Sequence, residues 1–276
     1  MDCLDFLLTS DVPAPCFVLD EARLRANAAI LDTVQQRTGV KILLALKAFA
    51  AWSTFPLLSR AGSGPLWGVC ASSVDEARLG REDFGGEVHA FAAAWTREEV
   101  DELLPLVDHL VFNSPAQWQQ FRPVVNGWNQ SSAAAATGRI VSCGLRINPE
   151  HSEGAVAIYN PCSPGSRLGI RPCLLQVQDM AGISGLHFHT LCEQGADALA
   201  RTLDAVEQKF GPYLPLCRWI NMGGGHHITR EGYDLDLLCV CPAPDTAVLH
   251  SAYFASAWIA GVSAMEHSCI WSRARR

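Results

Sequence analysis

The chain has 276 residues and a formal net charge of −7, with 49% apolar and 18% charged residues. That is about the size of one α/β barrel and apolar enough for a sizeable core, which excludes wholesale disorder. Its 28 acidic residues outnumber its 21 basic ones, which excludes the basic footprint of a nucleic-acid partner.

The N-terminal stretch MDCLDFLLTSD carries Asp2 and Asp5 and has no basic start, so no signal peptide is expected. An amphipathic pattern over Ala22–Gln36 predicts a helix. Lys41–Leu46 is an apolar β-type run that ends at Lys47, and Trp67–Ala71 is a second such run. Ser73–Gly80 opens with a capping pattern of Ser72 or Ser73 before Asp75 and Glu76, which predicts a helix start. Glu87–Phe91 and His109–Phe112 are the next strand candidates. Ser114-Pro115 opens another helix, with Ser as the cap and Pro in the first turn. Ser131–Ala136 is expected to be a loop insertion. Strand patterns return at Arg139–Ile147, Gly185–His189 and Cys217–Met222, with a helical pattern over Ala196–Phe210.

Strand and helix patterns in alternation imply a parallel sheet covered by helices. A doubly wound sheet and a TIM (β/α)8-type barrel both fit, and seven strands in one series favour the barrel. The expected fold is therefore α/β, a barrel that is incomplete because seven strands are legible. The expected organisation is an N-terminal segment over 1–12, a barrel over 13–238 and an atypical tail over 239–276. Only Thr246–Leu249 offers an eighth strand there. The longest apolar segment of the tail, Ala252–Met265, is shorter than the ~20 residues of a membrane span. Eleven scattered cysteines without a CxxC pair point to reduced thiols in a cytoplasmic protein.

The C-terminal ends of barrel strands face the active site. Lys47 ends the first strand, where an apolar pocket lets an amine form a Schiff base; a surface lysine is the plainer reading. Gly223-Gly224-Gly225 follows the seventh strand and suits a phosphate as well as it suits an ordinary turn. His187 and His189 fall on one face of the sixth strand. His189 could lie flat against a cofactor ring, or the pair with His226 and His227 could hold a metal; core histidines are the plain alternative. Arg146, near the end of the fifth strand, could counter a carboxylate or form a structural ion pair. Lysine, histidine and glycine loop together suit an aldehyde cofactor bearing a phosphate, pyridoxal 5'-phosphate (PLP).

Pro13–Asp20 and Leu44–Phe49 resemble the entry and lysine strand of PLP enzymes with the alanine racemase-type fold. Ala71–Ser73 with Glu76–Gly80, Gly144–Pro149, Pro164–Gly169, His187–His189 with Leu191–Glu193, and Asn221–His227 narrow the resemblance to the carboxynorspermidine/carboxyspermidine decarboxylases. The resemblance implies that Lys47 holds PLP, that His189 stacks on its ring, and that Gly223, Gly224 and Gly225 offer N–H groups to its phosphate. Arg146 and Glu193 are expected to bind substrate, and no metal is expected. The implied substrate is a carboxylated triamine, which loses carbon dioxide to give norspermidine or spermidine, in a cytoplasmic homodimer. A non-catalytic PLP-binding barrel and a metal-dependent barrel hydrolase are the alternative readings. The resemblance stops near Leu238. No Glu-Pro-Gly segment occurs, and no counterpart of the family's C-terminal β-domain follows. The expectation is a C-terminally truncated chain with unpaired barrel edges, poorly stable or inactive.

Overall fold

The structure, a computed structural model, describes residues 18–154, 156–241 and, as backbone, 251–256. The expected segment 1–12, the start of the first resemblance block and the strand candidate Thr246–Leu249 lie outside the described residues.

Helix α1 (Glu21–Thr38) is capped by Asp20, whose carboxylate accepts the N–H of Arg23, and it ends at Gly39 with φ +72°. The chain then enters β1 (Lys41–Ala45). A short helix α2 (Phe55–Leu58) precedes β2 (Gly68–Ala71). Ser73 caps α3 (Val74–Leu79) through the N–H of Glu76; such a cap contributes about 1 kcal/mol. After β3 (Glu87–Phe91), Thr96 and Glu99 form a reciprocal capping box on α4 (Arg97–Leu103). Strand β4 (His109–Phe112) leads to α5 (Pro115–Asn129), with Ser114 as cap and Pro115 in the first turn, as the sequence predicts.

The expected loop insertion is instead a helix, α6 (Ser132–Thr137), capped by Ser131 and closed by Gly138 at φ +65°. Its run of alanines has the highest intrinsic helix propensity, and that outweighs the serines that suggested a loop. Then come β5 (Ser142–Arg146), β6 (Gly185–His187), α7 (Ala196–Phe210), β7 (Trp219–Asn221) and α8 (Leu235–Val240).

The ring is closed. Strand β8 (Ser251–Ser256) pairs in parallel with β1, Leu43 opposite Ala255, and with β7, Ile220 opposite Ala252. All eight strands form one parallel barrel. The barrel-type α/β architecture stands, whereas the expectation of an incomplete ring with free edges on the first and seventh strands is corrected. The closing strand starts two residues beyond Thr246–Leu249, inside the segment assigned to a tail.

Strand alternation separates two apolar layers. Ile42, Leu44, Val69, Val88, Ala90, Leu110 and Leu186 pack outward against helix residues such as Leu31, Val100, Phe121 and Val206. Leu43, Val111 and Trp219 point inward with Cys70 and Phe91. The indole of Trp219 lies across the inside of the ring, donating to Ser142 Oγ at 2.9 Å. A Cβ on Gly185 would sit 2.1 Å from that indole and one on Gly144 2.4 Å from it, so both strands carry glycine where the ring passes. At the strands' starts, His89 stacks on His109 with centroids 4.0 Å apart, beside Glu87 and Lys41. Among the described residues no helix is long and apolar enough to cross a membrane.

Candidate active site

A cavity opens at the C-terminal ends of the strands, lined by Lys47, Cys70, Ser72, Phe91, Arg146, His187, His189, Asn221 and Gly223 among others. Lys47 stands just past β1. Leu46 still pairs with β2, its N–H reaching Cys70 O at 3.1 Å, and the chain then turns, with Ala48 and Phe49 both donating to Ala45 O. The turn carries the Lys47 amine into the mouth, where its charge acts on both Cys70 and His189.

His189 follows β6. Its Nδ1 accepts the N–H of Gly224 at 2.9 Å. Burial, then the charges of Lys47 and Arg146, bring its pKa down to about 3, so the ring is uncharged at neutral pH and can offer a flat apolar face. His187 is buried, with Nδ1 3.2 Å from Asn221 O. Burial pushes the Cys70 thiol up to about 12, which makes it a neutral lining group rather than a nucleophile.

Arg146 ends β5 and is 5% exposed. Its Nη2 donates to His189 O at 3.3 Å, and its guanidinium lies 4.7 Å from the centre of the Phe91 ring. Burial lowers its pKa to about 10, so it remains a cation. Among the described residues no carboxylate is in ion-pair range of it. A buried guanidinium without a carboxylate among the described residues is costly, and this one stands in the cavity wall.

The glycine loop packs closely on the chain itself. Gly223 has φ +69° and Gly225 φ +94°. A Cβ would lie 2.3 Å from Phe188 O at the first and 2.0 Å from Leu191 O at the second. Two of the loop's N–H groups have partners in the chain: Gly223 donates to Asn221 Oδ1 and Gly224 to His189 Nδ1.

Glu193 does not line the cavity. It is exposed, has φ +56°, and its charge acts on His227. His226 is 1% exposed, with Nδ1 3.4 Å from the Tyr233 hydroxyl. The four histidines of the metal reading do not converge. Among the described residues the His, Cys, Asp or Glu side chains whose ligand atoms come together are Glu87, His89 and His109, at the opposite end of the ring. There, burial opposes ionisation of Glu87, but hydrogen bonds from His89 and Lys41 outweigh it and bring its pKa to about 2.

Sequence reasoning missed Asn113, Cys70 and Asn221. Asn113 accepts the N–H of Gly169 at 2.8 Å and donates to Arg167 O at 2.9 Å, fastening the Pro164–Gly169 motif to the end of β4. Strand-end position was the signal available for all three.

No protein-family model matches the chain. It is 43% identical over 227 residues to the carboxyaminopropylagmatine decarboxylase of a Synechocystis species, covering 82% of this chain and 55% of that protein. It is 38% identical over 231 residues to the carboxynorspermidine/carboxyspermidine decarboxylase of Campylobacter jejuni, covering 83% of this chain and 56% of that one. The crystal structure of carboxynorspermidine decarboxylase from Campylobacter jejuni, complexed with norspermidine, superposes with a TM-score of 0.76 at 34% identity, over 91% of this chain and 61% of that one. Diaminopimelate decarboxylase from Helicobacter pylori superposes with a TM-score of 0.68 at 14% identity, over 94% of this chain and 66% of that one, a likeness of fold alone. The chain spans little more than half the length of the curated relatives it matches. Over that span, the barrel is similar in sequence and fold to the carboxynorspermidine/carboxyspermidine decarboxylases.

Proposed function

We propose that this chain carries the cofactor-binding barrel of a PLP-dependent decarboxylase that acts on carboxynorspermidine or carboxyspermidine. The observation that carries the reading is the meeting, in one cavity, of the Lys47 amine, the uncharged His189 ring and the buried Arg146 cation. These groups fit PLP: an amine for its aldehyde, a neutral face for its ring, and for an anion a cation that no carboxylate among the described residues pairs.

When bound, PLP supplies an electron sink for the carbon that loses carbon dioxide. Lys47, in the cavity lining, would hold the cofactor through its amine. His189 backs the ring and, being uncharged, adds no competing positive charge against it. Arg146 orients an anionic group at the cavity wall, and the apolar wall around it, Phe91 and Val111, excludes water. With the Gly223 and Gly224 amides engaged within the chain, Gly225 is the residue of the loop that would offer an N–H to the phosphate. Glu193, exposed and outside the cavity lining, would meet an amine at the far end of an extended polyamine. Assembly as a homodimer is part of the proposal. So is a cytoplasmic setting, supported by the free thiols of all eight described cysteines.

A second reading places carboxyaminopropylagmatine, named for the 43% identical relative, in the same cavity. It differs at the distal end of the substrate, a guanidinium in place of an ammonium.

The test is spectroscopic. Purified full chain with added PLP should develop the visible band of lysine-bound cofactor, and Lys47→Ala should abolish it. Supplying each carboxylated amine and measuring released carbon dioxide then selects the substrate. A band of equal strength in Lys47→Ala, or none in the parent chain, overturns the reading.

A further inference from the structure

We propose that Asn221 is the residue that positions His189, acting through the glycine turn. The catalytic meaning of this rests on the reading of His189 as the face against which the cofactor lies. The geometry itself does not.

Asn221 is the last residue of β7 and is 3% exposed. Its Oδ1 accepts the N–H of Gly223 at 2.9 Å, and it lines the cavity together with Cys70 of β2. Its backbone carbonyl accepts the N–H of Phe188 at 3.0 Å and lies 3.2 Å from His187 Nδ1. Its side chain thus holds the start of the glycine turn, while its main chain holds the segment that leaves β6.

The consequence runs through two successive amides. Gly223 adopts φ +69°, where a Cβ would lie 2.3 Å from Phe188 O, and the bond to Asn221 Oδ1 holds it there. The next N–H, on Gly224, is thereby aimed at His189 Nδ1. A ring nitrogen that accepts a hydrogen bond carries a lone pair, so the proton of the neutral imidazole sits on Nε2. The turn therefore fixes both the tautomer and the plane of the ring. Leu at position 221 preserves volume but removes the acceptor. The Gly223 N–H is then buried without a partner, a costly state that the turn escapes by rearranging. Asp keeps the acceptor.

The test uses the full chain, labelled with nitrogen-15 and studied by NMR without cofactor. A scalar coupling between Gly224 N and His189 Nδ1 across the N–H···N bond is expected, with the proton of the ring on Nε2. Asn221→Asp should retain both signatures. Asn221→Leu should lose the coupling and show both tautomers, and its apparent PLP affinity should fall about tenfold. Absence of the coupling in the parent chain, or its survival in Asn221→Leu, overturns the proposal. If Asn221→Leu does not fold, the parent chain and Asn221→Asp decide, since loss of the coupling in either is equally fatal. A parent chain that shows the coupling yet binds no PLP overturns the functional reading and leaves the positioning role standing.

Discussion

At the scale of single residues, burial decides which side chains in the ring can carry charge. His226, at 1% exposure, is brought to about 4 by burial from its ordinary 6.5. His189 is brought to about 3, and His187 well below its usual range. A histidine depressed in this way takes up a proton in the unfolded chain before it does in the folded one. Its contribution to stability is full above the unfolded value and is lost as pH falls toward the folded value. For His226 alone the loss is roughly 1.4 kcal/mol per pH unit across that window. Urea midpoints should therefore drop markedly between pH 7 and pH 5, and His226→Gln should flatten the slope. A midpoint independent of pH over this range would contradict the buried neutral state. Lys47 and His189 were legible in the sequence because strand ends are recognisable from their apolar runs. Arg146 was legible as a residue, but its lack of a carboxylate partner among the described residues is a property of the packed site.

At the scale of elements, glycine sets how closely strands and their contents can approach. Gly185 in β6 leaves room for the Trp219 indole, and a Cβ there would lie 2.1 Å from it. Gly185→Ala should destabilise the barrel by about 1–3 kcal/mol, the usual range for overpacking a filled interior. In a Trp219→Leu background the same substitution should cost much less, because the two sites share one space; thermal melting of the four proteins closes the cycle. The strands β3 and β4 coincide with their expected runs, whereas β5 and β6 are shorter. Arg139–Val141 and His189 read as strand in the one-dimensional pattern but lie outside the ladder, whose last bond between β6 and β7 runs from the Phe188 N–H to Asn221 O. Period-two alternation says which face a residue presents, not how long its neighbour stays in register. The helix Ser132–Thr137 was missed because six residues give too short a window for periodicity, although Ser131 and Gly138 are its stop signals.

At the scale of the whole molecule, closure depends on β8. Its partners, β1 and β7, would otherwise present unpaired N–H and C=O groups. Ending the chain at residue 250 should open the ring. The expected result is dye binding to exposed apolar faces and loss of a single cooperative transition, compared with the full chain. Amides of β1 and β7 that face β8 should exchange slowly in the full chain and quickly in the shortened one. Unchanged exchange would mean that the closing strand carries no stability. Closure by Ser251–Ser256 was hidden from the sequence because its serines and alanines lack the β-branched, turn-bounded character of the other runs.

What the sequence by itself determined is the alternation of strand and helix, the barrel class, and the lysine, histidine and glycines placed at strand ends. Those follow from local periodicity, capping and turn chemistry, which a linear pattern records. Only the tertiary structure decided that the ring closes and that Arg146 has no carboxylate beside it among the described residues. It alone decided, too, that two glycine amides serve Asn221 and His189. Each of those is a contact between residues far apart in the chain, fixed by packing and desolvation, which no local pattern contains.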